Sequence, residues 1–146
     1  MPNGKGLKMK RLAYISIILF LFNACTVDRS FAVQEYPDTR LNDIAITTVI
    51  NGQVAIVYNP NHCNRMGNLV CNFFRAHEYG HVNLGHLITR AHPARAEFEA
   101  DCWAARNAPR DQVRAAYAYF MNQGFMGDWA HGTGVQRAQR LSRCSQ

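Results

Sequence analysis

His77-Glu78-Tyr79-Gly80-His81 constrains this chain more than any other stretch, because its two imidazoles share a use only if the segment is helical. Successive residues on an α-helix turn by about 100°, so positions four apart lie about 40° from each other on one face. One metal ion can then be held by His77 and His81 together. Glu78 sits one step round the helix, too close along the chain to share the ion, yet able to reach a water bound to it. A purely structural metal would have no use for a carboxylate there. The fold must therefore place a helix here and bring another ligand to it, since a catalytic zinc normally has three protein ligands and one open position.

His86 is the nearest candidate along the chain, but a continuing helix would carry it about 140° round from His81. It reads instead as a histidine favoured by the negative end of the helix dipole. Glu97-Phe98-Glu99-Ala100-Asp101 is the better source. Glu97 and Asp101 are four apart and share a helical face, with Glu99 turned away. Glu97 would complete a His₂Glu set. Asp101, one turn on, would accept the free N–H of a ligand histidine and fix its tautomer.

H-E-x-x-H followed by E-x-x-A-D, at His77 to His81 and Glu97 to Asp101, resembles the gluzincin metallopeptidases. The Ala-Asp ending resembles in particular the CAAX-protease type and its small soluble relatives, the minigluzincins. That group also has a downstream His-Pro-x-x-x-x-Arg stretch. Here His131 is followed six residues later by Arg137, with Gly132 where the family has Pro. The resemblance spans about His77 to Arg137. It implies Zn2+, peptide-bond hydrolysis, Glu78 as general base and Glu97 as third ligand. It further implies a catalytic His131 near the substrate oxyanion, with Arg137 behind it.

The N-terminus places this chemistry outside the cytosol. Lys5, Lys8, Lys10 and Arg11 precede an unbroken apolar run from Leu12 to Phe22. That is the anatomy of a secretory signal, and the run falls short of the roughly 20 residues of a membrane span. Two processing routes are open. Phe22-Asn23-Ala24-Cys25 has the Ala-Cys ending of a lipobox, so residues 1–24 would be removed and a lipid on Cys25 would anchor the protein to a membrane. Ser30-Phe31-Ala32 is a small-x-small site, which would release a soluble chain from Val33. Either way the expected location is the periplasm or the cell envelope. All three lysines lie in the signal, and from Val33 eleven arginines face nine acids. The basic precursor therefore gives no ground for a nucleic-acid partner.

Without Cys25, four cysteines remain, and an even count in an oxidising compartment favours two disulfides. Of three connectivities we favour Cys63–Cys71, tying a loop to the active helix, and Cys102–Cys144, stapling the C-terminal tail. No C-x-x-C pair suggests a cysteine zinc site.

Residues 33–42 are polar and read as a linker, and 43–146 as one domain of modest core. Ile44 to Ile50 and Val54 to Tyr58 alternate as strands around Asn51-Gly52, a strong hairpin turn. A loop carrying Cys63 leads to Gly67. The active helix runs from Asn68 through His86, with Leu69, Phe73, Ala76, Gly80 and Leu84 on its apolar side. Further helices are expected over Pro93–Asn107, Pro109–Gln123 (Val113, Ala116, Tyr117 and Phe120 inward) and Val135–Ser142. The expected fold is α+β and zincin-like, a short antiparallel sheet packed on the active helix and the glutamate helix. The expected function is a zinc peptidase acting on exported or envelope polypeptides, the substrate strand adding to the Val54–Tyr58 edge. The alternatives are a catalytically silent zinc- or partner-binding lipoprotein, and a latent enzyme plugged by its own tail, Arg137 to Gln146.

Overall fold

Asn51 and Gly52 adopt φ of 51° and 77°, the paired positive values that close a two-residue hairpin. This turn joins β2 (Ala45–Ile50) to β3 (Gln53–Tyr58) in an antiparallel ladder running from Ala45↔Tyr58 to Ile50↔Gln53. The computed structural model describes residues 33–146. The signal segment, both processing sites and Cys25 lie outside the described residues.

The segment read as a linker supplies a strand. β1 (Gln34–Pro37) pairs with β3 in parallel, so the sheet is mixed, ordered β1-β3-β2, rather than purely antiparallel. Polar side chains hide this strand from a hydrophobicity reading but fasten it in place. Glu35 accepts from Arg75 Nε at 2.6 Å and from the Tyr79 hydroxyl at 2.8 Å. β3 therefore lies between two neighbours and has no free edge for a substrate. The two outer edges belong to β1 and β2.

The expected loop after Asn59 is a helix, α1 (Pro60–Met66). Asn59 caps it by accepting from Asn61 N at 2.8 Å, and Pro60 occupies the first turn, where no N–H is needed. Gly67, at φ 90°, ends α1 and begins α2 (Asn68–Asn83). Cys63–Cys71 bridges the two helices as expected. α2 buries Val70, Phe73, Phe74, His77 and Gly80, whereas Leu69 and Leu84 are exposed. The expected line holds at Phe73, Ala76 and Gly80, fails at its two ends, and widens to Val70, Phe74 and His77. The stripe is set by Phe73 and Phe74, which meet Phe120 edge-to-face at 6.1 and 5.6 Å.

α2 stops at Asn83, short of His86. Gly85, at φ 66°, turns the chain into the short α3 (His86–Thr89). α4 (Pro93–Asn107) crosses α2 where Gly80 meets Ala100. A Cβ at Gly80 would stand 3.0 Å from the Ala100 Cα, so glycine permits this approach. α5 (Arg110–Gln123) buries Val113, Ala116 and Phe120 and leaves Tyr117 exposed. A small ribbon, β4 (Gly127–Asp128) with β5 (Gly132–Thr133), leads into α6 (Gly134–Cys144). A reciprocal cap between Thr133 and Gln136 fixes that entry.

Ala138 and Leu141 of α6 are fully buried against the helical core. Cys102–Cys144 joins α4 to α6, the second expected disulfide. The tail is therefore core rather than a plug in the cleft. With its three-stranded sheet preceding its helices and only a short ribbon among them, the molecule is α+β, as expected. Among the described residues no helix is long and apolar enough to cross a membrane.

Candidate metal centre

The close crossing at Gly80 and Ala100 puts the inner face of α4 against that of α2, and the titratable groups meet there. His77 Nε2 lies 2.9 Å from Glu97 Oε2 and 3.1 Å from His81 Nε2. His81 Nε2 is 3.4 Å from the same Glu97 oxygen. Donor atoms at the corners of a zinc tetrahedron stand about 3.3 Å apart, given bonds of about 2.0–2.2 Å. The three expected ligand atoms thus have the spacing of one coordination sphere.

Proton positions support the same fit. Asp101, wholly buried, accepts from His77 Nδ1 at 2.9 Å. A neutral His77 then has a bare lone pair on Nε2, aimed at a carboxylate oxygen and a second imidazole nitrogen. Lone pairs facing one another in a buried site are unfavourable unless a cation or a proton stands between them. Without an ion the proton serves, and His77 is held up at about 9. Burial opposes that charge, but hydrogen bonds to Asp101 and Glu97 outweigh it. Burial likewise disfavours ionised Glu97, yet bonds from His131, His77 and His81 hold its carboxyl far below the usual range. The donor set, two imidazoles and a carboxylate, suits a divalent ion.

Asp101 anchors more than His77. Arg137 donates to it from Nε at 3.1 Å and Nη2 at 2.7 Å, and Arg140 from Nη1 at 2.6 Å. Both carboxylate oxygens are saturated. The Arg137 guanidinium also lies over the Phe120 ring, 4.2 Å from its centroid. The resemblance sets Arg137 behind His131; its guanidinium donates instead to Asp101, because α6 packs against α4. Arg140, which sequence reading missed, donates instead to the His131 carbonyl at 3.2 Å.

Glu78 is nearly buried, and its carboxylate joins His77 and His81 in a cluster whose ligand atoms lie within 4.8 Å of one another. Burial pushes its pKa up, against the pull of His77 and a hydrogen bond from Thr47. Thr47 Oγ1 stands 2.8 Å from Glu78 Oε2 and 3.0 Å from the Glu78 carbonyl. No motif marked Thr47. Alternation did not find it either, since the apolar side of that strand is Ile44, Ile46 and Ile50, and Thr47 belongs to the other side.

His131 reaches the centre from the ribbon loop, Nε2 3.0 Å from Glu97 Oε2 and Nδ1 2.8 Å from Asp128 Oδ2. The bond to Glu97 raises its pKa against a smaller effect of burial. His86, which a continuing helix would carry away from His81, instead touches it, Nδ1 to Nδ1 at 3.0 Å, and among the described residues it belongs to neither candidate ligand cluster. Tyr79 points away, toward Glu35. Two clefts that share Asp43, Ala45, Glu78 and His131 flank the centre. One continues along Thr47, His86 and Leu87, the other along Phe74, Tyr119 and Met126.

Comparison of the chain with protein-family models, with curated proteins and with solved structures finds no match. The functional reading therefore rests on this geometry.

Proposed function

We propose that this protein is a zinc-dependent peptidase of gluzincin type, acting on exported or envelope polypeptides. The observation that carries the reading is the convergence of His77, His81 and Glu97 on one point, with the Glu78 carboxylate beside it. Zinc held by those three residues would acidify a bound water towards a pKa of about 7 and polarise a carbonyl oxygen. Glu78 takes the proton of the attacking water and passes it to the leaving amine. Its raised pKa makes it a better base towards the attacking water, and Thr47 keeps the carboxylate aimed. His131, backed by Asp128, donates from Nε2 to the developing oxyanion. Asp101 keeps His77 in the tautomer whose Nε2 is free for the ion. An extended chain adds to the outer edge of β2, whose Ala45 lines both clefts and whose Ile46 and Thr47 line the one beside His81. The side toward Phe74, Tyr119 and Met126 suits an apolar side chain.

The two disulfides are consistent with an oxidising compartment, which we take to be the periplasm or envelope. Cleavage of an unfolded protein by wild type and by Glu78→Gln tests the reading. Wild type is expected to yield products that mass spectrometry maps to defined bonds, and the variant to bind zinc while cutting nothing. If both bind zinc and neither cleaves any member of a broad substrate panel, the peptidase reading fails.

One observation favours the catalytically silent binder. His131 Nε2 is as close to Glu97 Oε2 as the ligand histidines are, and four protein donors would close a tetrahedral site. His131→Ala separates the two. An oxyanion donor is lost with zinc affinity unchanged and turnover reduced about 10²–10³-fold. A fourth ligand is lost with weaker zinc binding.

A further inference from the structure

Among the described residues His81 has no carboxylate behind it comparable to Asp101 behind His77. Its Nδ1 faces another imidazole, His86 Nδ1, at 3.0 Å. The His86 side chain is only 6% exposed, carried back against α2 by the left-handed Gly85. Two ring nitrogens at this distance require one proton between them, and the surroundings decide which holds it. His86 Nε2 lies 3.2 Å from Glu99 Oε2. Arg95 Nε sits 2.8 Å from the other Glu99 oxygen and pairs with the carboxylate. An ionised carboxylate only accepts, so His86 donates to it from Nε2 and a neutral His86 has a bare Nδ1. The proton between the rings then belongs to His81 Nδ1, leaving His81 Nε2 unprotonated toward His77 and Glu97.

We propose that His86, backed by Glu99 and Arg95, is a positioning residue that fixes the tautomer and ring plane of His81 for metal binding. An imidazole thus does for the second ligand what Asp101 does for the first. A directly ligating His86 does not fit, since both its nitrogens are engaged away from the cluster. A residue there only to fill space would be replaceable by Phe.

The inference rests on the metal-site reading, and zinc affinity measured by chelator competition tests the two separately. His86→Phe is expected to weaken zinc binding about 10- to 100-fold. His86→Gln, whose side-chain oxygen can accept from His81 Nδ1, is expected to recover part of that loss. Glu99→Gln, at a half-exposed position where folding is not at risk, should give a smaller loss in the same direction. Long-range 1H–15N correlation on the zinc-loaded wild type should place the His81 proton on Nδ1. Zinc binding by His86→Phe as tight as wild type, or His81 coordinating through Nδ1, would overturn the relay alone. A wild type that binds no zinc would overturn the metal site and the relay with it.

Discussion

Asp101 is the residue on which most of the centre depends, and its environment sets a testable pH dependence. Burial opposes its charge, but Arg137 and His77 hold its carboxyl well below the usual range. A depressed folded pKa means stability present above the unfolded value of about 3.9 and lost as pH falls through the folded one. His77 behaves in the opposite sense. Held up at about 9 without metal, it contributes stability that is complete below about 6.5, its unfolded value, and lost as pH rises through the folded value. Metal-free protein should therefore be most stable between these limits, with an alkaline decline between about 6.5 and 9 that bound zinc abolishes. Denaturant titrations at a series of pH values check this, and an identical decline with and without zinc would contradict it. Asp101→Asn leaves Arg137 without its buried counter-charge and should cost about 3–5 kcal/mol, measured the same way. Glu97 and Asp101 were legible in the sequence because four-residue spacing fixes a shared helical face. The partner of Arg137 was not, because it depends on how α6 lies against α4, which spacing within either helix does not encode.

At the scale of elements, the crossing of α2 and α4 is what converts two sequence motifs into one site. Gly80 sits inside the H-E-x-x-H motif as the unspecified residue before His81, and it is there that Ala100 makes its close approach. Gly80→Ala brings a methyl within 3.0 Å of backbone atoms and should destabilise the fold, by about 1–3 kcal/mol as overpacking usually does. Because the helices must separate, zinc affinity should fall too. Thermal unfolding and chelator competition on one sample read both effects, and a variant altered in neither would mean the crossing is not tight. Periodicity located α2, α4 and α5 within a few residues, and the Asn-Gly turn located the hairpin. It missed β1, which is held by Glu35, Arg75 and Tyr79 rather than by apolar alternation, and it carried α2 past the glycine that reverses it. Both misses arise where a single polar network or one left-handed residue overrides the hydrophobic pattern.

Over the whole molecule, α6 and its disulfide clamp the helix that carries Glu97. Cys102 follows Asp101 directly, and Cys144 lies on the same helix as Arg137 and Arg140. With a sequence separation of 42, this bridge restrains the unfolded chain more than Cys63–Cys71, separated by 8. In the chain-entropy account the two are worth about 4 and about 2.6 kcal/mol respectively. Replacing Cys102 and Cys144 by Ser should therefore lower the unfolding free energy more than the same change at Cys63 and Cys71, and equal losses would argue against that account. The connectivity could be anticipated from sequence only as one of three, since pairing depends on which helices the core brings together. The α+β class was legible for a simpler reason, the separation of alternating strands from helical segments along the chain. The claim underlying the whole account is that His77, His81 and Glu97 form one metal centre. Metal content of the purified protein measures it directly. One zinc per chain in wild type, lost in His77→Ala and greatly reduced in Glu97→Ala, is the predicted result. Metal-free wild type under zinc-replete conditions, or zinc retained unchanged by His77→Ala, would contradict it.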